Sequence, residues 1–340
     1  MAVFDKAGKI RIIHFNHTKE ITHMYDITII GAAVLDVLAR PVSKKDLAGR
    51  SCPADHVTLT PGGDAANEAV TLARLGKRVN LITKLGADLS GQVLLNYFRE
   101  NGVSTEDMVI ESDLDTGINV VLVEQEAERS FITNRNGSLR KLALSDVNTD
   151  ALKKAPLLCF ASIFVSPCFD IPAMASLFRS AKEQGCILCA DMTRCKNGER
   201  LADIRDAIQY LDYLFPNYEE AKAVSGLSKP DEIADAFLDC GVSCMVIKMG
   251  KDGCFIKTKE QRLVIPAYPH TRCIDTTGAG DNFAAGFLYA LSEHMDLADC
   301  GRFANMTASL AVESLGACTG VRSLSQVMER FRKAADAFET

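Results

Sequence analysis

From about Asp26 onward, short apolar runs alternate with stretches whose apolar positions recur every three or four residues. DITIIGAAV, beginning at Asp26, predicts a strand, and residues 65–75 predict a helix stopped by Gly76. RVNLITKLG predicts a second strand, and 90–101 a helix with Gly102 behind it. LLCFASIFV, CILCAD, YLFPN and CMVIKMG predict further strands, with helices at 171–184, 218–224 and 231–240 between them. Long helices follow from about Ala279 to the end. Strands that are apolar throughout, rather than alternating, are covered on both faces, so the pattern predicts an α/β fold around a mostly parallel central sheet.

Two segments break this rhythm. Residues 34–60 hold no good helix and contain the alternating strand HVTLT. TGINVVLVEQEAERSFITNR, from Thr116 to Arg135, predicts a hairpin that turns near Glu126. Together they predict a small antiparallel β lid over the carboxyl edge of the sheet, where ligands of open α/β folds bind. The expected organisation is one domain over 26–340, with lid strands from about 34–60 and 116–135 inserted, and an N-terminal extension over 1–25 that fits neither pattern. The hairpin carries apolar residues on one face, Ile118, Val120 and Leu122 against Phe131, which a second chain could cover. A homodimer through the lids is the expectation.

Composition narrows the function classes. The chain has 340 residues, 47% of them apolar, enough for a sizeable core. A net charge of -6 argues against nucleic acid as a partner, though not against phosphates held by backbone amides. No apolar stretch approaches the ~20 residues a bilayer requires, and Asp5, Lys6 and Lys9 interrupt any leader-like start, so no membrane association is expected. The 12 cysteines are scattered, several inside apolar runs, as expected of free thiols in the cytoplasm. Cys186 and Cys189 form a C-x-x-C inside a strand-like run, which points their side chains to opposite faces and disfavours a metal or redox site.

The chemistry concentrates in CIDTTGAGDNFAAGFLY, Cys273 to Tyr289. Gly278, Ala279 and Gly280 at a helix start offer backbone amides and the positive end of the helix dipole, an anion hole. Asp281 follows directly. A carboxylate base beside an anion hole can deprotonate a hydroxyl and pass a phosphoryl group to it. A plain helix start would use the same residues. Two other phosphate motifs are excluded. A dinucleotide fingerprint needs glycine where Phe283 stands, and the Gly-Lys pairs at 8–9, 76–77 and 250–251 lack the Ser or Thr of a P-loop. A second glycine-rich helix start, TPGGDAANEA at Thr60 to Ala69, places Gly62 and Gly63 for close backbone approach, with Asp64 and Asn67 able to bond sugar hydroxyls.

The chain from about residue 26 resembles the ribokinase-like (PfkB) carbohydrate kinases. TPGGDAANEAVTLARLG is similar to that family's N-terminal signature, and DTTGAGDNFAAGF to its C-terminal one. Between them, Phe215 to Glu220 supplies an N-x-x-E element. The resemblance implies a ribokinase-like three-layer sandwich. It implies Asp281 as the catalytic base and Gly278, Ala279 and Gly280 as the hole for the transferred phosphoryl group. Asn217 and Glu220 would organise Mg²⁺, through water, and the ATP phosphates. Asp36, Gly62, Gly63, Asp64 and Asn67 would face the sugar. Lys248, Gly250 and Gly253 correspond to the loop over the nucleotide, and Asn305 to an adenine contact. Asp275, Thr277, Ser314 and Gly316 could hold a monovalent cation such as K⁺.

The substrate stays open at this point. Asp64 replaces the lysine or apolar residue usual after the paired glycines, which disfavours an anionic substrate end and favours polyols. Arg135, where the hairpin returns to the sheet, could instead bind a carboxylate or phosphate, or be a solvated surface residue. Arg194 in DMTR sits closer to the strand than the family's usual D-x-N-x-R allows. A sugar or sugar acid is the expected substrate of an ATP-dependent kinase. A nucleoside kinase of the same fold would need a second aromatic in the lid beside Phe131. A sensor without catalysis would not need Asp281, Asn217 and Glu220 together.

Overall fold

The computed structural model describes residues 2–4, 10–12, 23–42, 49, 51–124 and 129–338. Strands β1 (Ala2–Phe4) and β2 (Ile10–Ile12) pair antiparallel within the N-terminal extension. The domain proper begins with β3 (Ile27–Gly31), β4 (Val34–Arg40) and β5 (His56–Gly62), then α1 (Asp64–Arg74). Next come β6 (Val79–Ile82), β7 (Lys84–Gly86), α2 (Leu89–Glu100), β8 (Val103–Ser104) and β9 (Val109–Glu111). The hairpin β10 (Ile118–Val123) and β11 (Arg129–Thr133) precedes β12 (Leu157–Ile163), α3 (Ile171–Glu183) and β13 (Ile187–Met192). The chain continues through α4 (Leu201–Ile208), β14 (Tyr213–Phe215), α5 (Tyr218–Ser225), α6 (Pro230–Asp239) and β15 (Cys244–Lys248). It ends with β16 (Cys254–Lys257), β17 (Arg262–Ile265), α7 (Ala279–Ser292), α8 (Leu297–Ala311) and α9 (Leu324–Phe338).

Nine strands form the central sheet in the order β17-β16-β15-β14-β13-β12-β3-β6-β8. Every pairing from β15 to β8 is parallel, and β16 and β17 return antiparallel at one edge. Strand alternation divides the core into two layers. Ile27, Ile29, Leu157 and Cys159 face α1, α7 and α8, while Ile30, Leu158 and Phe160 face α3, α4 and α6. This is the three-layer sandwich expected from apolar strands covered on both sides. Helix α4 was not expected from the sequence; Ile204, Ala207 and Ile208 give it a short buried face. Two runs expected as single strands are divided. DITIIGAAV supplies β3 to the main sheet and opens β4 in the lid, and RVNLITKLG divides into β6 and β7, the latter paired with β9. An apolar run carries no mark of which sheet each half joins.

The lid is a four-stranded sheet, β11-β10-β4-β5. Its two outer pairings are antiparallel as expected, and the inner pairing of β10 with β4 is parallel. The hairpin turn expected near Glu126 lies outside the described residues. Register corrects one grouping. Phe131 pairs with Val121, so it shares a face with Asp36, Asn119 and Thr133 and not with Ile118, Val120 and Leu122. Ile132, 61% exposed, takes its place beside them, together with Val57 (65%) and Leu59 (62%). No helix among the described residues is long and apolar enough to cross a membrane. All twelve cysteines are free thiols.

Candidate active site

A cleft of about 730 Å³ opens at the carboxyl ends of β13, β14 and β15 and runs along the start of α7. Asp64, Asn217, Glu220, Lys248, Gly250, Gly253, Ala279, Gly280, Asp281 and Asn305 line it, bringing together residues scattered over most of the sequence. Arg135 is exposed in the turn after β11; it does not line this cleft, and neither do Asp36, Gly62, Gly63, Asn67 and Gly278.

The start of α7 is set by Gly278, whose φ of 71° suits only glycine without strain. A side chain there would also lie 2.7 Å from Ala317 Cα. Of the amides expected to form the anion hole, that of Ala279 donates to the Thr276 carbonyl at 3.2 Å. Gly280 lies against Lys248, whose Nζ would be 3.2 Å from a Cβ at that position. The helix start and an ammonium group therefore converge on one spot.

Helix α1 carries a polar stripe at successive turns of one face, in which buried Asn67 and Thr71 bond α7 and half-buried Arg74 bonds the segment after α8. Asn67 Nδ2 donates to Asp281 Oδ2 at 2.6 Å. Thr71 Oγ1 donates to Asn282 Oδ1 at 2.8 Å, and Asn282 Nδ2 donates to the carbonyls of Gly278 and Ala317, each at 2.7 Å. Arg74 donates to the carbonyls of Cys318 and Val321. Asn67 Oδ1 accepts from the Cys318 thiol at 3.1 Å. Asn67, expected only as a sugar contact, thus has both ends of its amide bonded to protein, with one Nδ2 hydrogen left over. Leaving a buried amide unpaired would be costly, and the nearest partner for it is the carboxylate beside it.

Charge in the cleft is dense. Lys248 Nζ donates to both oxygens of Asp191 at 2.7 Å. Burial alone would depress this ammonium, but Asp191, Glu220 and Asp281 outweigh it and hold it above its ordinary value. Burial, then the charge of Asp64, raises Asp281 well above the ordinary carboxylate range, against the pull of Asn67 and Lys248. Burial likewise raises Asp191, against the pull of Lys248. Glu68, next to Asn67 on α1, is fully buried, with the Cys159 thiol as its neighbour. Burial and the charges of Asp191 and Asp281 keep it protonated far above the ordinary glutamate range.

Asn217 caps α5. Its Oδ1 accepts from the Glu220 amide at 2.9 Å, and Glu220 Oε2 accepts from the Asn217 amide at 2.8 Å. The N-x-x-E element is therefore a capping box. Burial pushes Glu220 up to about 7, although Lys248 pulls the other way. Asn305 Nδ2 donates to the carbonyls of Ile265 (3.2 Å) and Pro266 (3.0 Å), so this buried side chain fixes a wall of the cleft as well as lining it.

Asp64 Oδ2 accepts from Ser162 Oγ at 2.7 Å. In the lid, Asp36 Oδ1 accepts from Asn119 Nδ2 at 2.9 Å, and Asn119 Oδ1 from Thr133 Oγ1 at 2.7 Å. Burial raises Asp36, with Asn119 opposing. A Cβ on Gly62 would stand 2.2 Å from Asp36 Oδ2, so only glycine lets that carboxylate approach. Asp275 Oδ1 accepts from Thr277 N (2.9 Å) and Oγ1 (2.6 Å), and its Oδ2 from Gly316 N at 3.0 Å; Ser314 lies in the same turn.

Sequence reasoning missed Asp191, Ser162, Asn119 and Cys318. Asp191 had a signal, a charge at the carboxyl end of an otherwise apolar strand. The others become visible only through packing.

A model of the pfkB family carbohydrate kinases matches residues 24–324. A ribokinase of Bacillus subtilis is 29% identical over 311 residues, 90% of this chain and 99% of that protein. A 5-dehydro-2-deoxygluconokinase of Clostridium perfringens is 26% identical over 342 residues, 96% of this chain and 98% of that protein. The structure of an Arabidopsis thaliana ribokinase complexed with ribose and ATP superimposes with a TM-score of 0.79 at 21% identity, covering 91% of this chain and 99% of that one.

Proposed function

The chain belongs to the pfkB family of carbohydrate kinases, phosphotransferases that act on sugar hydroxyls, and within it we propose an ATP-dependent kinase of a sugar or sugar-derived substrate with Asp281 as its base. The observation that carries this reading is the convergence of Asp281, the start of α7 and Lys248 on one cleft. ATP would lie along the side lined by Asn217, Glu220, Gly250, Gly253 and Asn305. The sugar would lie between Asp64 and the lid face carrying Asp36 and Asn119, with the remaining Nδ2 hydrogen of Asn67 in reach.

Asn67 holds Asp281 Oδ2, which leaves Oδ1 to take the hydroxyl proton. The sugar oxygen then bonds to the γ-phosphorus as the bond from phosphorus to the bridging oxygen breaks and ADP departs. Helix-start amides and Lys248 would hold the negative charge of the group in transfer. Glu220, a carboxylate lining the proposed nucleotide side, would hold Mg²⁺ there through water, as hard divalent cations take oxygen donors. Mg²⁺, when bound, neutralises phosphate charge. The loop of Asp275, Thr277, Ser314 and Gly316 is our candidate for a monovalent cation such as K⁺.

The acids on the side proposed for the sugar, Asp64 in the cleft and Asp36 in the lid, support a neutral polyhydroxylated substrate over a sugar acid. We place the enzyme in the cytoplasm, as its free thiols suggest. The apolar lid face of Val57, Leu59 and Ile132 suits a homodimer through the lids; monomeric elution in light scattering at micromolar concentration would refute this. The function itself is tested by ATP consumption with neutral sugars, sugar acids and nucleosides in the presence of Mg²⁺. Turnover is expected with a neutral sugar, and preference for a nucleoside would overturn the reading.

A further inference from the structure

Asn67 faces a carboxylate on one side and a thiol on the other, and an amide can sit either way round between such neighbours. With Nδ2 toward Asp281, the amide donates to the carboxyl group at 2.6 Å, a contact that favours its ionised form, and its Oδ1 accepts from Cys318 Sγ at 3.1 Å. Turned over, Oδ1 would face Asp281, which is tolerable only if Asp281 carries a proton. The orientation of the amide and the ionisation of the base are therefore linked. Cys318 biases that linkage. Its thiol is buried, which keeps it protonated and able to donate. Thr71 also lies within hydrogen-bonding reach of the thiol, and the Asn67 backbone carbonyl is farther away than Oδ1, at 3.8 Å. Its backbone is fixed in turn, because Arg74, itself bonded to Asn101 Oδ1 at 2.9 Å, donates to the Cys318 carbonyl.

We propose that Cys318 is a positioning residue for the phosphoryl transfer: its S–H holds the Asn67 amide with Nδ2 toward Asp281, and so favours the ionised form of the base and presents Oδ1 to the substrate hydroxyl. This rests on the kinase reading above for its consequence in turnover, but not for its effect on Asp281. The charged and titratable groups facing Asp281 are Asp64 and Glu68 from α1, Asp191 from β13, Lys248 from β15 and Cys318 itself. Asp64, Glu68, Asp191 and Lys248 are unchanged by a substitution at 318, so a change in Asp281 reports on the relay.

The experiment follows the Asp281 carboxyl by ¹³C titration in the full-length free protein, with its signal assigned by loss in Asp281→Asn. Cys318→Ala removes the donor, and Cys318→Val removes it while filling the space. Both are expected to raise the Asp281 midpoint by about 0.4–1 pH unit, the worth of one ordinary hydrogen bond. Cys318→Ser keeps a donor and is expected to restore the parent value. With whichever sugar the ATP-consumption screen finds, the acid limb of kcat should move upward by the same amount in Cys318→Ala, with a two- to tenfold drop in kcat below it (about the same hydrogen-bond energy) and KM nearly constant. An unmoved midpoint in both Ala and Val variants overturns the proposal, as does a shift that Ser fails to reverse, which would assign the effect to packing. If instead Asp281→Asn keeps its turnover, the kinase reading falls while the titration still stands or fails on its own.

Discussion

Helices α1 and α7 both start at a glycine with positive φ, Gly63 at 96° and Gly278 at 71°, and both carry an aspartate in the first turn. Their roles diverge in what packs behind them. Asp64 accepts from a hydroxyl on β12 and looks toward the sugar side. Asp281 accepts from a neighbouring helix, stands beside Lys248 and is raised by burial and by Asp64 itself. Helix α1 gives Asn67 and Thr71 of its polar stripe to α7 and receives no comparable stripe in return. A glycine-rich helix start with an acid thus marks a ligand-facing element, but which acid becomes the base depends on its neighbours.

The largest effect should come from the acid on α7. Asp281→Asn keeps shape and cannot accept a proton, so kcat should fall by about 10²–10⁴-fold with sugar and ATP affinities nearly unchanged. Measuring kcat with thermal midpoint on one sample separates this from misfolding; turnover within tenfold of the parent would make the two helix starts equivalent after all. Asp64→Asn should act on binding instead. Loss of a charged hydrogen-bond acceptor should raise the sugar KM by about tenfold or more. It also removes a like charge beside Asp281, so the acid limb of kcat should move to lower pH. An upward move, read from the same pH profile, would contradict the arrangement.

The smallest effect tests α1 as a support. Glu68 is protonated more readily in the folded chain than in the unfolded one, so the stability tied to it is full below the ordinary value of 4.5 and declines as pH rises above it. Glu68→Gln stays neutral. Its thermal midpoint should match the parent at pH 4 and exceed it by about 2 °C or more at pH 8. Differential scanning calorimetry at both pH values decides this, and a constant offset would show that Glu68 does not titrate across folding.

Much of this was legible in the chain. The glycine-rich starts, the N-x-x-E element and the apolar strands each leave a local mark, because turn geometry, capping and two-sided burial all constrain residue type at fixed spacing. The lid register was less legible. Phe131 fell on the face opposite the one expected because a one-residue slip in a strand exchanges faces, and alternation alone does not say which strand lies alongside. Arg135 had the right chemistry for an anion but no local signal of where its turn would point. Asn305 had a family role and proved also to hold the cleft wall.

By itself, then, the sequence determined the layers of the fold, the two glycine-led helix starts and the acid in each, since these depend on periodicity and on backbone conformations few residues can adopt. Only the tertiary structure decided that Asn67 reaches Asp281, that Lys248 pairs with Asp191, and that Cys318 closes on Asn67 from 251 positions away. Those contacts join segments 57 to 251 positions apart in the chain. Their energies come from burial and shared hydrogen bonds, which exist only after the elements have packed.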